Sequence, residues 1–270
     1  MKNLRFFRTA GAGTAICFLF CSFPLHSQDH SPNRPPIATA PLSSHPSADE
    51  RLLLDATNRE RAAAGLQSLK WDDALAAAAL QHARLMAHEN VLSHQLPDEP
   101  PLDQRAAQTG AKFSLIAENI AVGPNPEAIH DGWMHSPGHR KNILNADVTA
   151  IGIATTRGSG GLFAVQDFSR PVEALSLEQQ EEKVVSLLKR TSLLAVETTE
   201  DARNTCGMDR GFAGAPALYV IHFEVTDLNT LPDDLLKKIG SGKYHKAAVG
   251  ACPDREAAGF MRFRIAVLLY

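Results

Sequence analysis

Hydrophobic residues recur at helical spacing through the first half of the chain. Ser47 followed by Glu50 has the spacing of a capping box, and the apolar stripe behind it predicts a helix that ends at about Ala64, before Gly65. Three further helices are predicted by the same periodicity, over about residues 72–91, 102–109 and 126–134.

Beyond these helices the pattern changes to the short apolar runs of strands, over residues 150–156 and 162–168. The run GSGG at residues 158–161 supplies the positive φ angles that a tight connection needs, so the two strands are predicted to form a hairpin. Helices before a strand hairpin predict a layered α/β/α domain over residues 47–170.

Residues 171–270 follow a different pattern. A capped helix is predicted over about residues 176–190, and alternation of apolar and polar residues predicts strands over 219–225 and 261–269. Arg264 lies on the polar side of the last strand. We therefore expect a small α+β unit whose antiparallel sheet is half exposed to solvent.

The N-terminal segment is typical of a signal for export. Three basic residues precede an apolar run at residues 10–25 that is short for a membrane span, so residues 1–27 are predicted to be a signal peptide. A membrane anchor is the alternative. Residues 28–46 are rich in proline and serine, which predicts an extended linker.

Charge and cysteine content fit an exported protein. The formal net charge is −3, and cleavage of the predicted signal peptide removes three basic residues. The mature chain is therefore acidic and has no basic surface for nucleic acid. Only Cys206 and Cys252 remain after cleavage, and they are expected to form a disulfide in an oxidising compartment. We expect a secreted protein, extracellular or periplasmic, without a stable membrane span after leader removal.

Several motifs together resemble the CAP superfamily of secreted proteins, particularly its bacterial branch. They occur in the family's order over residues 50–168, which makes the resemblance far more specific than any one of them. The segments are NRER at 58–61, GL at 65–66, LKW at 69–71, SH at 93–94, AENIA at 117–121, GWMHSPGHRKNIL at 132–144, IGI at 151–153 and AVQDF at 164–168.

The resemblance implies a three-layer α/β/α sandwich of CAP type, to which the C-terminal α+β unit is an addition. It also implies a shallow cleft lined by two histidines and two acidic residues. Matched position by position, these are His94, His139 and Glu118. The position of the second acid holds Ser136, and Asp131 is the nearest acidic candidate.

Two neutral imidazoles supply two ligands for Zn²⁺, with water at the remaining positions. Because catalytic zinc normally has three protein ligands, His94 and His139 predict weak, exchangeable and pH-sensitive binding. Glu118 beside them can fix an imidazole tautomer or accept a proton from bound water. The alternatives are that Glu118 caps a loop or pairs with Arg140, and that each histidine only satisfies backbone groups.

These observations favour a protein that binds a metal, a small ligand or an extracellular partner without strong catalysis. One alternative is a metal-assisted hydrolase of peptidase type, with Glu118 as the base. Another is a structural or cell-surface attachment role for residues 171–270. The HExxH motif of zinc proteases is excluded, because Leu92 stands where the second histidine would follow His88.

Overall fold

The computed structural model describes residues 46–208, 210–255 and 259–270. The predicted signal peptide and nearly all of the predicted linker lie outside the described residues. Eight helices and eight strands are found in the described part of the chain. They are α1 (Ala48–Ala63), β1 (Lys70–Trp71), α2 (Asp73–Glu89), α3 (Leu102–Gln108), β2 (Phe113–Gly123), α4 (Pro126–His135), α5 (Pro137–Ile143), β3 (Ala150–Gly158), β4 (Gly161–Pro171), α6 (Leu177–Leu188), β5 (Ala195–Thr198), α7 (Glu200–Gly207), β6 (Tyr219–Val225), α8 (Asp233–Gly240), β7 (Lys246–Cys252) and β8 (Phe263–Leu269).

Local signals in the sequence explain where the first helices begin and end. The Ser47 side chain accepts from the Glu50 amide and the Glu50 carboxylate accepts from the Ser47 amide, so the predicted capping box is present. Asn125 caps α4 in the same way, through the amide of Ala128. Gly65 has a φ of 72°, a left-handed conformation that ends the chain's helical path after α1.

The first sheet has the strand order β1-β3-β4-β2. β4 pairs antiparallel with both β2 and β3, while the short β1 runs parallel to β3. The predicted hairpin is formed by β3 and β4, and Gly161 supplies a positive φ of 131° where β4 begins. β2 is therefore an outer strand of this sheet.

Helices cover both faces of this sheet, which confirms the predicted α/β/α layering. One face packs against α1, α4 and α5 through a core that includes Leu53, Trp133 and Phe168. The other face packs against α2 and α3. The approach of α2 is closest at Gly152 in β3, where a Cβ atom would lie 2.1 Å from the backbone nitrogen of Ala76.

Residues after β4 form a second sheet, with the order β5-β7-β8-β6, so the additional C-terminal α+β unit is also confirmed. The sheet is mixed, because β5 runs parallel to β7 while β7, β8 and β6 are antiparallel. The prediction of a half-exposed antiparallel sheet was wrong. α6 and α8 cover one face, α7 packs on the other, and Arg264 is only 9% exposed.

The C-terminal unit is covalently closed by the predicted disulfide. Cys206 at the end of α7 and Cys252 at the end of β7 are bonded, with their Cα atoms 5.6 Å apart. The bond joins α7 to the sheet face that it covers. Both cysteines are buried, so solvent has little access to the sulfur atoms.

A short backbone connection links the C-terminal segment to the first sheet. The Phe113 amide donates to the Gly259 carbonyl at 3.0 Å, and the Phe113 carbonyl accepts from the Met261 amide at 2.9 Å. The rings of Phe113 and Phe260 pack edge to face with their centroids 4.9 Å apart. The start of β2 is thus bound to the segment that leads into β8.

Within the described residues, no helix combines the length and apolar character needed to cross a bilayer.

Candidate functional site

Two adjacent polar residues in the middle of β2 organise the candidate site. Glu118 and Asn119 point to opposite faces of the sheet because side chains alternate along a strand. Glu118 faces α2 and α3, whereas Asn119 faces α1 and hydrogen-bonds Gln166 of β4 at 3.4 Å. Both are buried, so their polar atoms need partners inside the protein.

His94 is held by Glu118 on the α2 and α3 side. It lies in the loop between these helices, and its Nδ1 is 2.8 Å from Glu118 Oε1. The side chain of His94 is 59% exposed, while that of Glu118 is 3% exposed. The hydrogen bond to Glu118 raises the pKa of His94, and partial burial opposes that rise.

Arg105 in α3 fixes the geometry of this pair. Its Nη2 donates to Glu118 Oε2 in a buried ion pair, and its Nη1 donates to the backbone carbonyl of His94 at 3.1 Å. One guanidinium therefore holds both the carboxylate and the loop that carries the imidazole. The cation beside Glu118 is Arg105, whereas Arg140, the partner considered from the sequence, is exposed on α5.

A second imidazole–carboxylate pair lies behind the first. His82 of α2 is fully buried, and its Nδ1 is 2.7 Å from Glu99 Oε1. Glu99 also lies 3.5 Å from Arg105 Nη1, and His82 Nε2 lies 3.9 Å from Glu118 Oε2. We call His82, Glu99, Arg105, Glu118 and the neighbouring Asp167 the buried charge cluster.

His139 reaches the same part of β2 from the other side of the strand. It lies in α5, and its backbone carbonyl accepts from Asn119 Nδ2 at 3.1 Å. Asn142 of α5 donates to the Glu118 carbonyl at 3.1 Å and to Asn119 Oδ1 at 2.9 Å. The helix is thus bound to β2 beside Glu118. The ring of His139 is half-buried, and burial together with the charge of His94 lowers its pKa.

The remaining acidic candidate lies elsewhere. Asp131 is on α4, its side chain is 73% exposed, and its Oδ1 is 3.3 Å from His135 Nδ1. It lines a cavity of about 230 Å³ between α1 and α4, which also contains Glu60 and His130. The structure therefore pairs His94 with Glu118, attaches the helix of His139 to β2 beside Glu118, and places Asp131 elsewhere.

Sequence reasoning did not find Arg105, Glu99, His82 or Asp167. Their side chains meet only because α2, α3, β2 and β4 pack together, and no spacing along the chain reveals that contact. The one available signal was Arg105, a cation in a short predicted helix close to the loop of His94.

His94 keeps one ring nitrogen that Glu118 does not engage. Glu118 engages Nδ1 of His94, so Nε2 is the nitrogen left for a ligand, as in a carboxylate–histidine–metal arrangement. In the part of the chain that the structure describes, no group of three or more His, Cys, Asp or Glu side chains could hold a metal ion. Two protein ligands predict weak binding.

The first sheet, covered by helices on both faces, carries the buried Glu118 and its partner His94 at its outer strand β2. Residues 54–168 match the model of the CAP family, described as the cysteine-rich secretory protein family.

Comparison with individual proteins also gives matches to part of this chain. The uncharacterized protein YkwD of Bacillus subtilis (strain 168) is 35% identical over 129 residues, which are 47% of this chain and 50% of that protein. The uncharacterized membrane protein YlbC of the same organism is 36% identical over 110 residues, 40% of this chain and 32% of that protein. The chain thus spans half or less of the length of these curated relatives.

A solved structure that matches part of the chain is an extracellular protein containing an SCP domain from Bacillus anthracis str. Ames. It is 31% identical, covers 47% of this chain and 45% of its own, and has a TM-score of 0.41.

Proposed function

We propose that this protein is an exported CAP-domain protein that binds a small ligand or a divalent metal such as Zn²⁺ at His94 and His139, without strong catalysis. The observation that carries the proposal is the hydrogen bond of 2.8 Å between His94 Nδ1 and Glu118 Oε1. It fixes the orientation of a side chain that is 59% exposed. An exposed ring held by a buried ion pair is suited to ligand binding, because little entropy is lost on association.

The hydrolase alternative receives less support from the geometry. A general base must lie within hydrogen-bond reach of the water that it deprotonates. The Glu118 carboxylate is buried, and one oxygen is engaged by His94 while the other is engaged by Arg105. Glu118 is therefore better placed to orient His94 than to accept a proton from water.

Export is supported by two independent features. The Cys206–Cys252 disulfide fits an oxidising compartment, since such bonds are rare in the cytosol. The basic and apolar start of the sequence is the second feature.

The proposal is tested by titrating the disulfide-intact protein with Zn²⁺ at pH 7.5 in a calorimeter. We expect weak one-site binding that His94→Ala and His139→Ala each weaken by about tenfold or more, or 1.4 kcal/mol. His88→Ala and His135→Ala are matched controls, because their side chains are 66% and 79% exposed and lie outside the group. Absence of saturable binding, or binding that both site variants leave unchanged, would refute the metal site.

The pH dependence of Zn²⁺ binding has a defined sign. Imidazolium cannot bind a metal, and Glu118 raises the pKa of His94 whereas the pKa of His139 is lowered. Loss of affinity on acidification should therefore begin above the ordinary histidine pKa of about 6.5, as His94 becomes protonated. Glu118→Gln should move this onset to lower pH, and an unchanged onset would contradict the assigned role of Glu118.

A further inference from the structure

Asp167 in β4 is a buried carboxyl group with no conventional partner. Its register partners are Glu118 in β2 and Gly152 in β3, so it lies between them on the face covered by α2. The residue is 0% exposed, and neither carboxyl oxygen has a hydrogen-bond donor among the residues that the structure describes. Gly152 contributes no side chain, and α2 packs directly on its backbone, which keeps water out.

Arg105, the cation whose charge acts on this carboxyl, already pairs with other groups. Arg105 pairs with Glu118 through Nη2 and lies near Glu99 through Nη1, so one guanidinium serves two carboxylates. His82 on α2 is the other basic group in the buried charge cluster, and its Nδ1 is taken by Glu99. A third carboxylate would add an uncompensated charge to this buried space, which is strongly unfavourable.

Protonation resolves this conflict. Burial raises the pKa of Asp167 well above its ordinary value, and the charge of Glu118 raises it further, while Arg105 opposes the rise. Glu118 and Asp167 are cross-strand register partners on the same face, and two carboxylates so placed are both acceptors and repel each other. A single proton between them turns the contact into an O–H···O⁻ hydrogen bond, which is short and strong.

We propose that Asp167 is a neutral acid that donates its proton to Glu118 and thereby holds Glu118 as the anion that orients His94. The Glu118 carboxylate then accepts from three donors, His94 Nδ1, Arg105 Nη2 and the Asp167 hydroxyl, which its lone pairs accommodate. Asp167 is a positioning residue in this arrangement, because it contacts neither histidine. Its effect on ligand binding rests on the proposed function, whereas its protonation does not.

The protonation is tested by infrared difference spectroscopy of the full disulfide-intact protein at pH 7. A buried neutral acid gives a carboxylic C=O band, which we expect in the wild type and expect to be lost in Asp167→Asn. Glu181→Gln is the matched control, since Glu181 is similarly buried but both of its oxygens accept from Arg203, each at 2.8 Å. A band that survives Asp167→Asn, or its absence from the wild type, would overturn the proposal.

The sign of a stability difference gives a second test of the same claim. A folded-state pKa above the unfolded value means that wild-type stability falls as pH rises from the unfolded pKa of about 3.9 toward the folded one. Asp167→Asn has no ionisable group at this position and does not lose stability in this way. The urea midpoint of the variant should therefore rise relative to that of the wild type from pH 5 to pH 8. A difference in urea midpoint that stays constant over this range would show that Asp167 is already ionised in the folded protein.

The positioning role is read from Zn²⁺ affinity and from the NMR titration of the His94 ring. Asp167→Ala removes the donor and should weaken Zn²⁺ binding about tenfold, as for other groups that support a metal ligand, and Asp167→Asn should restore it through its amide donor. The His94 pKa should be unchanged in Asp167→Asn, because no charge is removed.

If the infrared band is present but Zn²⁺ does not bind to wild type, the proposed function fails and the neutral acid stands. If Asp167→Ala binds Zn²⁺ as tightly as wild type, the positioning role is refuted.

Discussion

His130 shows how a single buried imidazole can make the fold sensitive to acid. It is 9% exposed in α4, and neither ring nitrogen has a hydrogen-bond partner among the described residues. Burial lowers its pKa, the charges of Glu60 and Asp131 raise it, and that of Arg59 lowers it. The folded protein therefore holds His130 neutral under conditions in which the unfolded chain binds a proton.

Replacing His130 by phenylalanine should remove part of the acid sensitivity. Because the folded pKa is lowered, wild-type stability decreases as pH falls through the unfolded value of about 6.5. His130→Phe should lose less stability than wild type between pH 7 and pH 5, and should gain about 1 kcal/mol at pH 7 by removing unpaired buried nitrogens. Urea denaturation at the two pH values measures both effects. His135→Gln, at an exposed position, should behave as wild type, and a variant as acid-sensitive as wild type would contradict this account.

Some residues of the candidate site could be predicted from the sequence, and others could not. His94, His139 and Glu118 lie in motifs that resemble a family, so their identity was available before the structure. The roles of Arg105 and Asp167 could not be predicted, because the role of a buried polar side chain depends on its neighbours and those neighbours are distant in the chain. The sequence shows Ser136 where the family pattern has an acid. Only the packing of the helices shows that Asp131 lines the cavity between α1 and α4.

At the scale of elements, the contact between α2 and β3 depends on the absence of a side chain at Gly152. A Cβ atom there would lie 2.1 Å from Ala76 N and 2.2 Å from the carbonyl carbon of Leu75, both backbone atoms that cannot rotate away. The helix sits directly over the row that contains Glu118 and Asp167. Displacement of α2 would therefore disturb the buried charge cluster as well as the core.

Gly152→Ala should destabilise the protein by about 2 kcal/mol or more, in the range of overpacked cores. Gly132→Ala is the matched control, because Gly132 lies in α4 and a methyl group added there would have nothing within 4 Å. Alanine there should be neutral or stabilising by up to about 1 kcal/mol, since it favours the helix. Thermal and urea denaturation of both variants compare the effects. Equal stability of the two variants would show that α2 can shift at little cost.

Elements with local signals were predicted well, and those defined by long-range pairing were not. Capping boxes at Ser47 and Ser176 and the glycines between β3 and β4 act within a few residues, so they can be read from sequence. β2 has polar residues at Glu118 and Asn119 in its centre, which interrupt the apolar pattern of a strand. β5 is short and pairs parallel with β7, and no signal in the neighbouring sequence indicates this pairing.

At the scale of the whole molecule, aromatic residues report separately on the two sheets. Both tryptophans, Trp71 and Trp133, belong to the first sheet and its helices. All three tyrosines lie in or beside strands of the second sheet, at Tyr219, Tyr244 and Tyr270. Tryptophan fluorescence and tyrosine absorbance can therefore follow the unfolding of each unit in one sample.

The contact of Phe260 with Phe113 predicts that the two units unfold together. In wild type, the tryptophan and tyrosine signals should change at the same urea concentration. Phe260→Ala removes the ring contact and should lower stability by about 3 kcal/mol, so that the two transitions separate. Phe212→Ala is the control, because Phe212 is 41% exposed. Transitions that remain coincident in Phe260→Ala would place the coupling elsewhere.

The bridge at Phe113 also bears on how the first unit behaves when it is expressed alone. A fragment that ends after β4 would lose Gly259, Phe260 and Met261, leaving the amide and carbonyl of Phe113 without their protein partners. It would also uncover an aromatic ring that is 0% exposed in the full chain. An open strand edge beside a bare phenylalanine invites self-association, so a shortened protein would aggregate for reasons unrelated to its histidines.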